Sequence, residues 1–244
     1  MLILAFDTTS EHGGAALYRD HHCLAEIQNS GAANYSRALF EMVDRLLAET
    51  RLRLGDVDLF AAATGPGSFT GIRVGLAAAQ GWAEAFARPV RGLSVLEAMA
   101  EASRPRAGTV VPLLDARRGE FYLGVFRAGD AAPAPAGTAA SEDEFALAGE
   151  ALVLGPAAVV TLFETLRRND GPQVAAIARE GDAAARELGK RLPASVELIL
   201  TPDFVVGAIG CLALRAARGG KLQKAEELDA CYVRRSDAEL HWRE

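Results

Sequence analysis

Thr64-Gly65-Pro66-Gly67-Ser68-Phe69-Thr70-Gly71-Ile72-Arg73-Val74-Gly75 joins a glycine-rich turn directly to an apolar helix. A turn of this kind exposes backbone N–H groups at a helix N-terminus, where they can bind an anion. The stretch does not match a Walker A loop, because no lysine occurs from residue 64 to residue 88. It does not match the dinucleotide-binding fingerprint either, because its first three glycines are spaced one residue too far apart. The turn therefore belongs to another architecture, and identifying that architecture decides the fold.

The composition is that of an ordinary globular protein with room for two small domains. The chain has 244 residues, of which 50% are hydrophobic and 24% charged. Its longest apolar runs, such as Leu59–Ala63 and Ala151–Leu154, are too short to span a bilayer, so we expect no membrane association. A strand-like segment at Leu2–Phe6 follows the first residue without a basic region, which argues against a secretory signal.

Charge and cysteine usage indicate a cytoplasmic protein that does not bind nucleic acid alone. The net charge is −6, whereas neutralising phosphates needs a basic face. The three cysteines are far apart and odd in number, which is typical of reduced thiols in the cytoplasm.

One local pattern occurs twice in the chain. An apolar strand, an aspartate, a small polar turn and an outgoing strand follow one another in Leu2–Arg19 and again in Val110–Arg127. The two aspartates, Asp7 and Asp115, are 115 − 7 = 108 residues apart. The repeat predicts two related halves, each of which begins with a hairpin.

Two helices are predicted in the first half. In Ser36–Glu49, the apolar residues fall within one arc of about 160°, which predicts an amphipathic helix; they are Leu39, Phe40, Met42, Val43, Leu46 and Leu47. The second helix, from about Thr70 to Ala87, carries a stripe of small residues and one tryptophan: Gly71, Gly75, Ala78, Ala79 and Trp82. Glycine costs a helix about 1 kcal/mol relative to alanine, so two glycines in one stripe indicate close approach of another backbone. Either this helix lies deep in the fold, or it contacts a partner.

Three motifs together resemble one protein family. Phe6-Asp7-Thr8-Thr9-Ser10, the glycine turn with its helix start (Thr64–Arg73), and Leu114–Glu120 are similar to the TsaB (YeaZ) family of accessory proteins that act in making threonylcarbamoyladenosine in tRNA. The resemblance is strong in the first half, extends through Gly124, and returns at Tyr232–Arg234. The glycine-turn motif is the specific part of the match.

The resemblance implies an α/β fold of the actin-like, sugar-kinase-like (ASKHA) type with two duplicated βββαβα domains. We expect an N-terminal domain at 1–104, completed by a C-terminal helix near 205–220. We expect a smaller or degenerate C-terminal domain at 105–244, with a flexible loop at 128–140, where glycine and proline are frequent.

The resemblance also implies a non-catalytic role. Members of the family pair with the catalytic paralogue TsaD, act with the ATPase TsaE, self-associate as homodimers, and meet tRNA only through the complex. Their contacts involve the two first-domain helices, which implies an interface formed by Leu39, Met42, Val43, Leu46, Gly71, Val74, Gly75, Ala78 and Trp82.

Nucleotide binding stays open at this point. The resemblance places a cleft beside Asp7, Thr8, Thr9, Ser10, Gly65, Gly67 and Ser68, where a vestigial site would bind nucleotide and Mg²⁺ weakly. Asp7 fits either a role in holding Mg²⁺ through water or a role in bonding its own turn, and for Asp115 the turn is favoured. The late segment Phe204–Gly210 contains two glycines, but it precedes an ordinary helix at Cys211–Arg218 rather than forming an adenine-binding loop. We expect no required cofactor.

Two catalytic functions are alternatives to the non-catalytic scaffold role. An independent ATP-dependent kinase or a carbamoyl or acyl transferase of the actin-like superfamily is the main alternative. However, Val95 and Met99 stand where TsaD relatives carry a metal-binding histidine pair, so no metal site is expected. A peptidase of the M22 type is less favoured, because no G-x-S-x-G motif occurs and Ser68 has no histidine near it in sequence.

Overall fold

The computed structural model describes residues 1–31, 34–103, 108–128 and 145–234. The first sheet contains five strands: β1 (Leu2–Asp7), β2 (His12–Arg19), β3 (His22–Ser30), β4 (Leu59–Gly65) and β5 (Val90–Ser94). Their order is β3-β2-β1-β4-β5, with an antiparallel hairpin side and a parallel side that meet at β1. β1 and β4 are buried along their whole length, because helices cover both faces of the sheet at these strands.

The second sheet repeats this topology. Its strands are β6 (Thr109–Asp115), β7 (Phe121–Leu123), β8 (Phe126–Ala128), β9 (Phe145–Leu147), β10 (Leu152–Leu154), β11 (Val174–Arg179) and β12 (Glu197–Thr201). The main path is β10-β7-β6-β11-β12, again with an antiparallel side and a parallel side that meet at the first strand of the half. The two related halves predicted from the repeat are confirmed, and so is the duplicated actin-like architecture that the resemblance implies.

The outgoing strand of the second half differs from its prediction. The stretch predicted as one strand is divided into β7 and β8 at Gly124 and Val125. Both pieces keep one register against β6, with Leu113 opposite Leu123 and Val110 opposite Phe126. The division arises because their outer partners differ, β10 for β7 and β9 for β8.

In the described ranges, six helices cover the two sheets in three layers. They are α1 (Tyr35–Thr50), α2 (Phe69–Phe86), α3 (Val95–Ser103), α4 (Pro156–Asp170), α5 (Ala183–Gly189) and α6 (Val206–Arg218). α1 and α2 pack on the outer face of the first sheet, and α4 and α5 pack on the outer face of the second. α3 and α6 lie between the sheets, where a bidentate ion pair joins Glu101 to Arg215.

Side-chain caps begin the two outer helices of the first half. The Asn34 side chain accepts a hydrogen bond from the backbone N–H of Arg37, and the Ser68 side chain accepts one from Gly71. The predicted limits of these helices, 36–49 and about 70–87, agree with the structure within one residue at each end.

α6 matches the helix expected near 205–220, but it begins earlier than the start at Cys211 that its glycines had indicated. Its first residue is Val206, so Gly207 and Gly210 lie inside the helix rather than in a loop before it. The reason is packing against the first sheet, because a Cβ at Gly210 would lie 2.5 Å from the ring of Tyr18 in β2. Two predicted features lie outside the described residues: the domain boundary at 104/105 and nearly all of the loop at 128–140. The boundary stays a prediction.

Candidate functional site

A cleft opens where the two sheets meet. Its cavity has a volume of about 560 Å³ and is lined from both halves of the chain. The first half contributes the turn after β1 and the glycine turn before α2, and the second half contributes the β6–β7 turn, the end of β11 and the start of α5. The carboxyl ends of β1, β4, β6 and β11 therefore face one another, which is where α/β folds commonly bind ligands.

The glycine turn packs directly on the turn that follows β1. Thr8 Oγ1 donates a 2.7 Å hydrogen bond to the Gly71 carbonyl, and the Ser68 backbone N–H donates a 2.6 Å bond to the Thr9 carbonyl. A Cβ at Gly67 would lie 2.3 Å from that same Thr9 oxygen, so only glycine fits this approach. The glycines of this turn therefore allow two turns of the same chain to contact backbone to backbone.

The residues predicted as a vestigial nucleotide site come together only in part. Four of them line the cavity: Thr9, Ser10, Gly67 and Ser68. Asp7 and Thr8 lie just beneath that lining and are buried. Gly65 does not line the cavity, and a Cβ added to it would lie close to the side chain of Ile72 and the carbonyl of Cys231.

One carboxylate oxygen of Asp7 accepts hydrogen bonds within the turn that follows β1. Its Oδ1 accepts hydrogen bonds from the Thr9 backbone N–H at 2.8 Å and from Thr9 Oγ1 at 2.7 Å. The other oxygen, Oδ2, faces the guanidinium of Arg179, whose Nη2 is 3.8 Å away. Arg179 Nη1 also donates a 3.4 Å bond to Ser10 Oγ.

Arg179 was not recognised from the sequence. It ends the apolar strand β11, and its side chain is only 4% exposed. An arginine directly after a buried strand is the signal that could have singled it out, since arginine is seldom fully buried without a charged partner.

The carboxylates at the second half of the cleft stabilise local structure. Asp115 Oδ1 accepts from the Arg117 backbone N–H, which confirms its predicted turn role. Asp182 caps α5 through the Ala185 N–H, and its other oxygen accepts from the N–H of Asp115.

Across the described ranges, no three His, Cys, Asp or Glu side chains group as metal ligands. Val95 and Met99 are fully buried in the core between the sheets.

The outer surface of α1 and α2 carries exposed aromatic side chains. Phe40 is 48% exposed and packs edge-on against Trp82, while Phe69 is 47% exposed at the start of α2. Tyr232 stacks on Phe69 with a ring-centroid distance of 5.5 Å, and Arg73 covers the same Phe69 ring. Arg73 Nε also donates a 3.2 Å bond to the Tyr232 hydroxyl.

Within the part of the chain that the structure describes, no helix is long and apolar enough to cross a membrane.

Most of the predicted interface residues pack inside the chain itself. Leu39, Met42, Val43 and Leu46 are buried in the chain's own core beneath α1. The small-residue stripe of α2 has its close backbone neighbour inside the same chain, because a Cβ at Gly71 or Gly75 would collide with Thr8. Ala78 is buried as well, whereas Val74 and Trp82 keep part of their surface exposed. Contact of these nine residues with a partner stays a prediction.

The C-terminal segment 223–234 joins α2 to the second sheet. Gln80 of α2 donates to the carbonyls of Ala225 and Leu228. Further along, the Cys231 N–H donates to the Thr64 carbonyl. Arg234 then reaches the β6–β7 turn, where it bonds the Ala116 carbonyl and the Glu120 carboxylate. The segment therefore contacts both the outer helix layer and the rim of the cleft.

The comparisons with known proteins agree with this architecture. The sequence profile described as "TsaD: tRNA N6-adenosine threonylcarbamoyltransferase" matches residues 22–196. The protein named tRNA threonylcarbamoyladenosine biosynthesis protein TsaB from Bacillus subtilis (strain 168) is 35% identical over 127 residues, which cover 52% of this chain and 56% of the relative. Its namesake from Haemophilus influenzae is 39% identical over 126 residues, which cover 50% of this chain and 52% of the relative. The chain thus spans about half the length of the curated relatives it matches.

Solved structures extend the likeness over nearly the whole chain. A crystal structure described as an uncharacterized protein with similarity to peptidase YEAZ, from Pseudomonas aeruginosa, superposes with a TM-score of 0.75 at 27% identity. That match covers 96% of this chain and 99% of the other. A second structure, described as YeaZ from the same organism, gives a TM-score of 0.72 over 95% of this chain and 99% of the other, also at 27% identity. From the matching profile, the named relatives and the shared fold, we conclude that this chain belongs to the TsaD family and, within it, to the group named TsaB or YeaZ.

Proposed function

We propose that this chain is a non-catalytic, cytoplasmic scaffold subunit in the synthesis of N6-threonylcarbamoyladenosine in tRNA. In this role it binds a TsaD-like catalytic paralogue, acts with a TsaE-like ATPase, and meets tRNA only through the complex. The names of the curated relatives support the pathway. The net charge of −6 supports indirect rather than direct contact with tRNA.

The observation that carries this proposal is the exposed aromatic surface on α1 and α2. Aromatic residues and arginine are enriched at protein interfaces, and here Phe40, Phe69 and Arg73 lie on helices that pack only one side against their sheet. We propose that the paralogue binds this surface. In its absence, a second copy of the chain uses the same surface to form a homodimer.

The arrangement of the cleft supports a role without chemistry. The Asp7 carboxylate accepts a backbone hydrogen bond within its own turn. In the second half, Asp115 accepts one within the β6–β7 turn, and Asp182 accepts one at the start of α5. None of these carboxylates is paired with a histidine or serine in the manner of a general base and nucleophile among the described contacts. We propose that the subunit needs no cofactor.

Co-purification with the TsaD-like paralogue of the same organism tests this proposal. We expect the wild-type chain to co-elute with the paralogue and to be required for threonylcarbamoyladenosine formation on tRNA. Phe69→Asp and Phe40→Asp should abolish both. Leu200→Asp is the matched control, because Leu200 is 44% exposed but lies on β12 of the second sheet. If the two aspartate variants still co-elute and support modification, the proposed surface is wrong.

A turnover assay on the isolated chain separates the scaffold role from the competing one. An independent ATP-dependent kinase or transferase would bind Mg-ATP tightly and consume it without the paralogue. We expect neither in isothermal titration and phosphate-release measurements, and steady ATP consumption by the purified chain would contradict the scaffold role.

A further inference from the structure

The floor of the cleft holds a buried pair of opposite charges that comes from both halves of the chain. Asp7 ends β1 of the first sheet, and Arg179 ends β11 of the second. Their side chains are 1% and 4% exposed, and Nη2 lies 3.8 Å from Oδ2. This separation is too long for a direct hydrogen bond, although the two charges are close enough to attract strongly at low solvent exposure.

Among the residues that the structure describes, three polar atoms of this pair have no hydrogen-bond partner. They are Asp7 Oδ2, Arg179 Nε and Arg179 Nη2. Arg179 also belongs to the lining of the cavity, as does Ser10, to whose hydroxyl Arg179 Nη1 donates. A buried charge without its counter-charge is strongly unfavourable, so removing either residue of the pair would leave the other as an uncompensated buried charge.

The other charged groups around the floor leave this pair as its main electrostatic feature. Asp115 is within 3.6 Å of Arg117, and both Asp182 and Asp203 accept backbone hydrogen bonds. Glu11 lies at the rim near His12, with 4.0 Å between Oε1 and Nε2.

A magnesium-bound nucleotide, the ligand that the actin-like fold implies, does not fit this floor. In nucleotide sites Mg²⁺ is usually bound by waters, by one or two carboxylates and by the phosphates, and the oxygen of Asp7 that is not used by Thr9 faces a guanidinium. A cation at Asp7 would be repelled by Arg179. A phosphate at Arg179 would be repelled by Asp7 in turn.

We propose that Asp7 and Arg179 mask one another. The carboxylate is a latent site for a divalent cation and the guanidinium is a latent site for phosphate, and in the intact pair neither ion binds. Arg179 is thereby the residue that excludes metal-bound nucleotide from the cleft. This inference concerns the isolated chain and does not depend on the proposed scaffold function.

Two single variants test the proposal, because each removes one charge of the pair and leaves the other. Asp7→Asn leaves the guanidinium without a counter-charge, so we expect inorganic phosphate to bind at least about tenfold more tightly than to wild type. Arg179→Met leaves the carboxylate without a counter-charge, so we expect the same gain for Mn²⁺, followed by water-proton relaxation. Each variant should gain only its own ion. The proposal is overturned if wild type binds Mn²⁺ as tightly as Arg179→Met, or if Asp7→Asn gains no affinity for phosphate.

The double variant Asp7→Asn with Arg179→Met removes both charges and provides the control for folding. We expect it to bind neither ion and to have a higher thermal midpoint than either single variant, because no unpaired charge is left buried. If a single variant does not fold, we expect the double variant to be folded, and a double variant that is unfolded as well would also overturn the proposal. A double variant whose midpoint falls by the sum of the two single losses would show that the residues are not coupled and would overturn the proposal.

Discussion

Thr8 and Gly71 are in direct backbone contact, since a Cβ at Gly71 would lie 1.9 Å from the Thr8 carbonyl oxygen. The Thr8 hydroxyl donates to the carbonyl of Gly71, so the contact is both steric and hydrogen-bonded. It fixes the first turn of α2 against the turn after β1, and it thereby positions the first-half wall of the cleft.

A methyl group at Gly71 should therefore destabilise the protein. We expect Gly71→Ala to lower the free energy of unfolding by about 3 kcal/mol, because the backbone at Thr8 must move. Gly81 is the matched control, since it lies in the same helix and is exposed, and no atom of the described residues lies within 4 Å of a Cβ added there. Gly81→Ala should raise the free energy of unfolding by up to about 1 kcal/mol. Urea unfolding curves measure both, and equal effects at the two positions would contradict the packing described.

The contacts of Tyr232 with α2 should protect Cys231 from modification. Burial raises the pKa of the Cys231 thiol, which lowers its thiolate fraction near neutral pH. Tyr232→Ala removes the ring from Phe69 and the hydrogen bond from Arg73, so the segment should open more often and the thiol should react several-fold faster with Ellman's reagent. The measurement uses a Cys23→Ser, Cys211→Ser background, because both of those cysteines are exposed.

Phe40→Ala serves as the control for this labelling experiment. Phe40 is as exposed as Tyr232, but it packs on Trp82 rather than on Phe69. Its substitution should leave the labelling rate unchanged. Equal rates in wild type and Tyr232→Ala would show that the segment does not depend on the tyrosine contact.

Local sequence patterns were sufficient to predict α1, α2 and the duplication. The amphipathic period located α1 and α2, and the strand–aspartate–turn pattern located β1 and β6, because these signals depend on neighbouring residues. The small-residue stripe correctly indicated a close backbone approach. It did not identify the neighbour, which is Thr8 of the same chain rather than a partner helix.

The floor of the cleft could not be predicted in the same way. Asp7 and Arg179 are 179 − 7 = 172 positions apart and lie in different sheets. Their proximity depends on how the two sheets pack through α3 and α6, which no local pattern encodes. The division of the second outgoing strand is a similar case, since it follows from the strands that pair with its two pieces.

Asp170 should make stability depend on pH in the acidic range. Burial opposes its ionisation, but hydrogen bonds from Thr109 at 2.7 Å and Arg127 at 3.0 Å outweigh this effect and lower its pKa. The pKa in the folded state is thus below that of the unfolded chain, about 3.9. The stabilising contribution is therefore complete above about pH 4 and is lost as the pH falls through the folded-state pKa.

Asp170→Asn tests this contribution. We expect a loss of about 2 kcal/mol in the free energy of unfolding at pH 7, the usual size for hydrogen bonds to a charged group. The difference from wild type should shrink as the pH falls below about 4. Urea unfolding at several pH values measures it, with the exposed Asp44→Asn in α1 as the control. A difference that stays constant down to pH 3 would contradict the assigned role.

The last prediction separates the core side of α1 from its exposed side. Leu46 is fully buried beneath the helix, whereas Phe40 is 48% exposed on it. Leu46→Asp would place an unpaired carboxylate in the core and remove a packed side chain, at a cost of about 5 kcal/mol. This is comparable with the whole stability of many domains, so the variant should be largely unfolded by circular dichroism. Phe40→Asp should keep the wild-type spectrum and lose only partner binding. If Leu46→Asp is folded and fails to bind the paralogue, Leu46 belongs to the interface after all, and the packing of α1 on the first sheet must differ from that described.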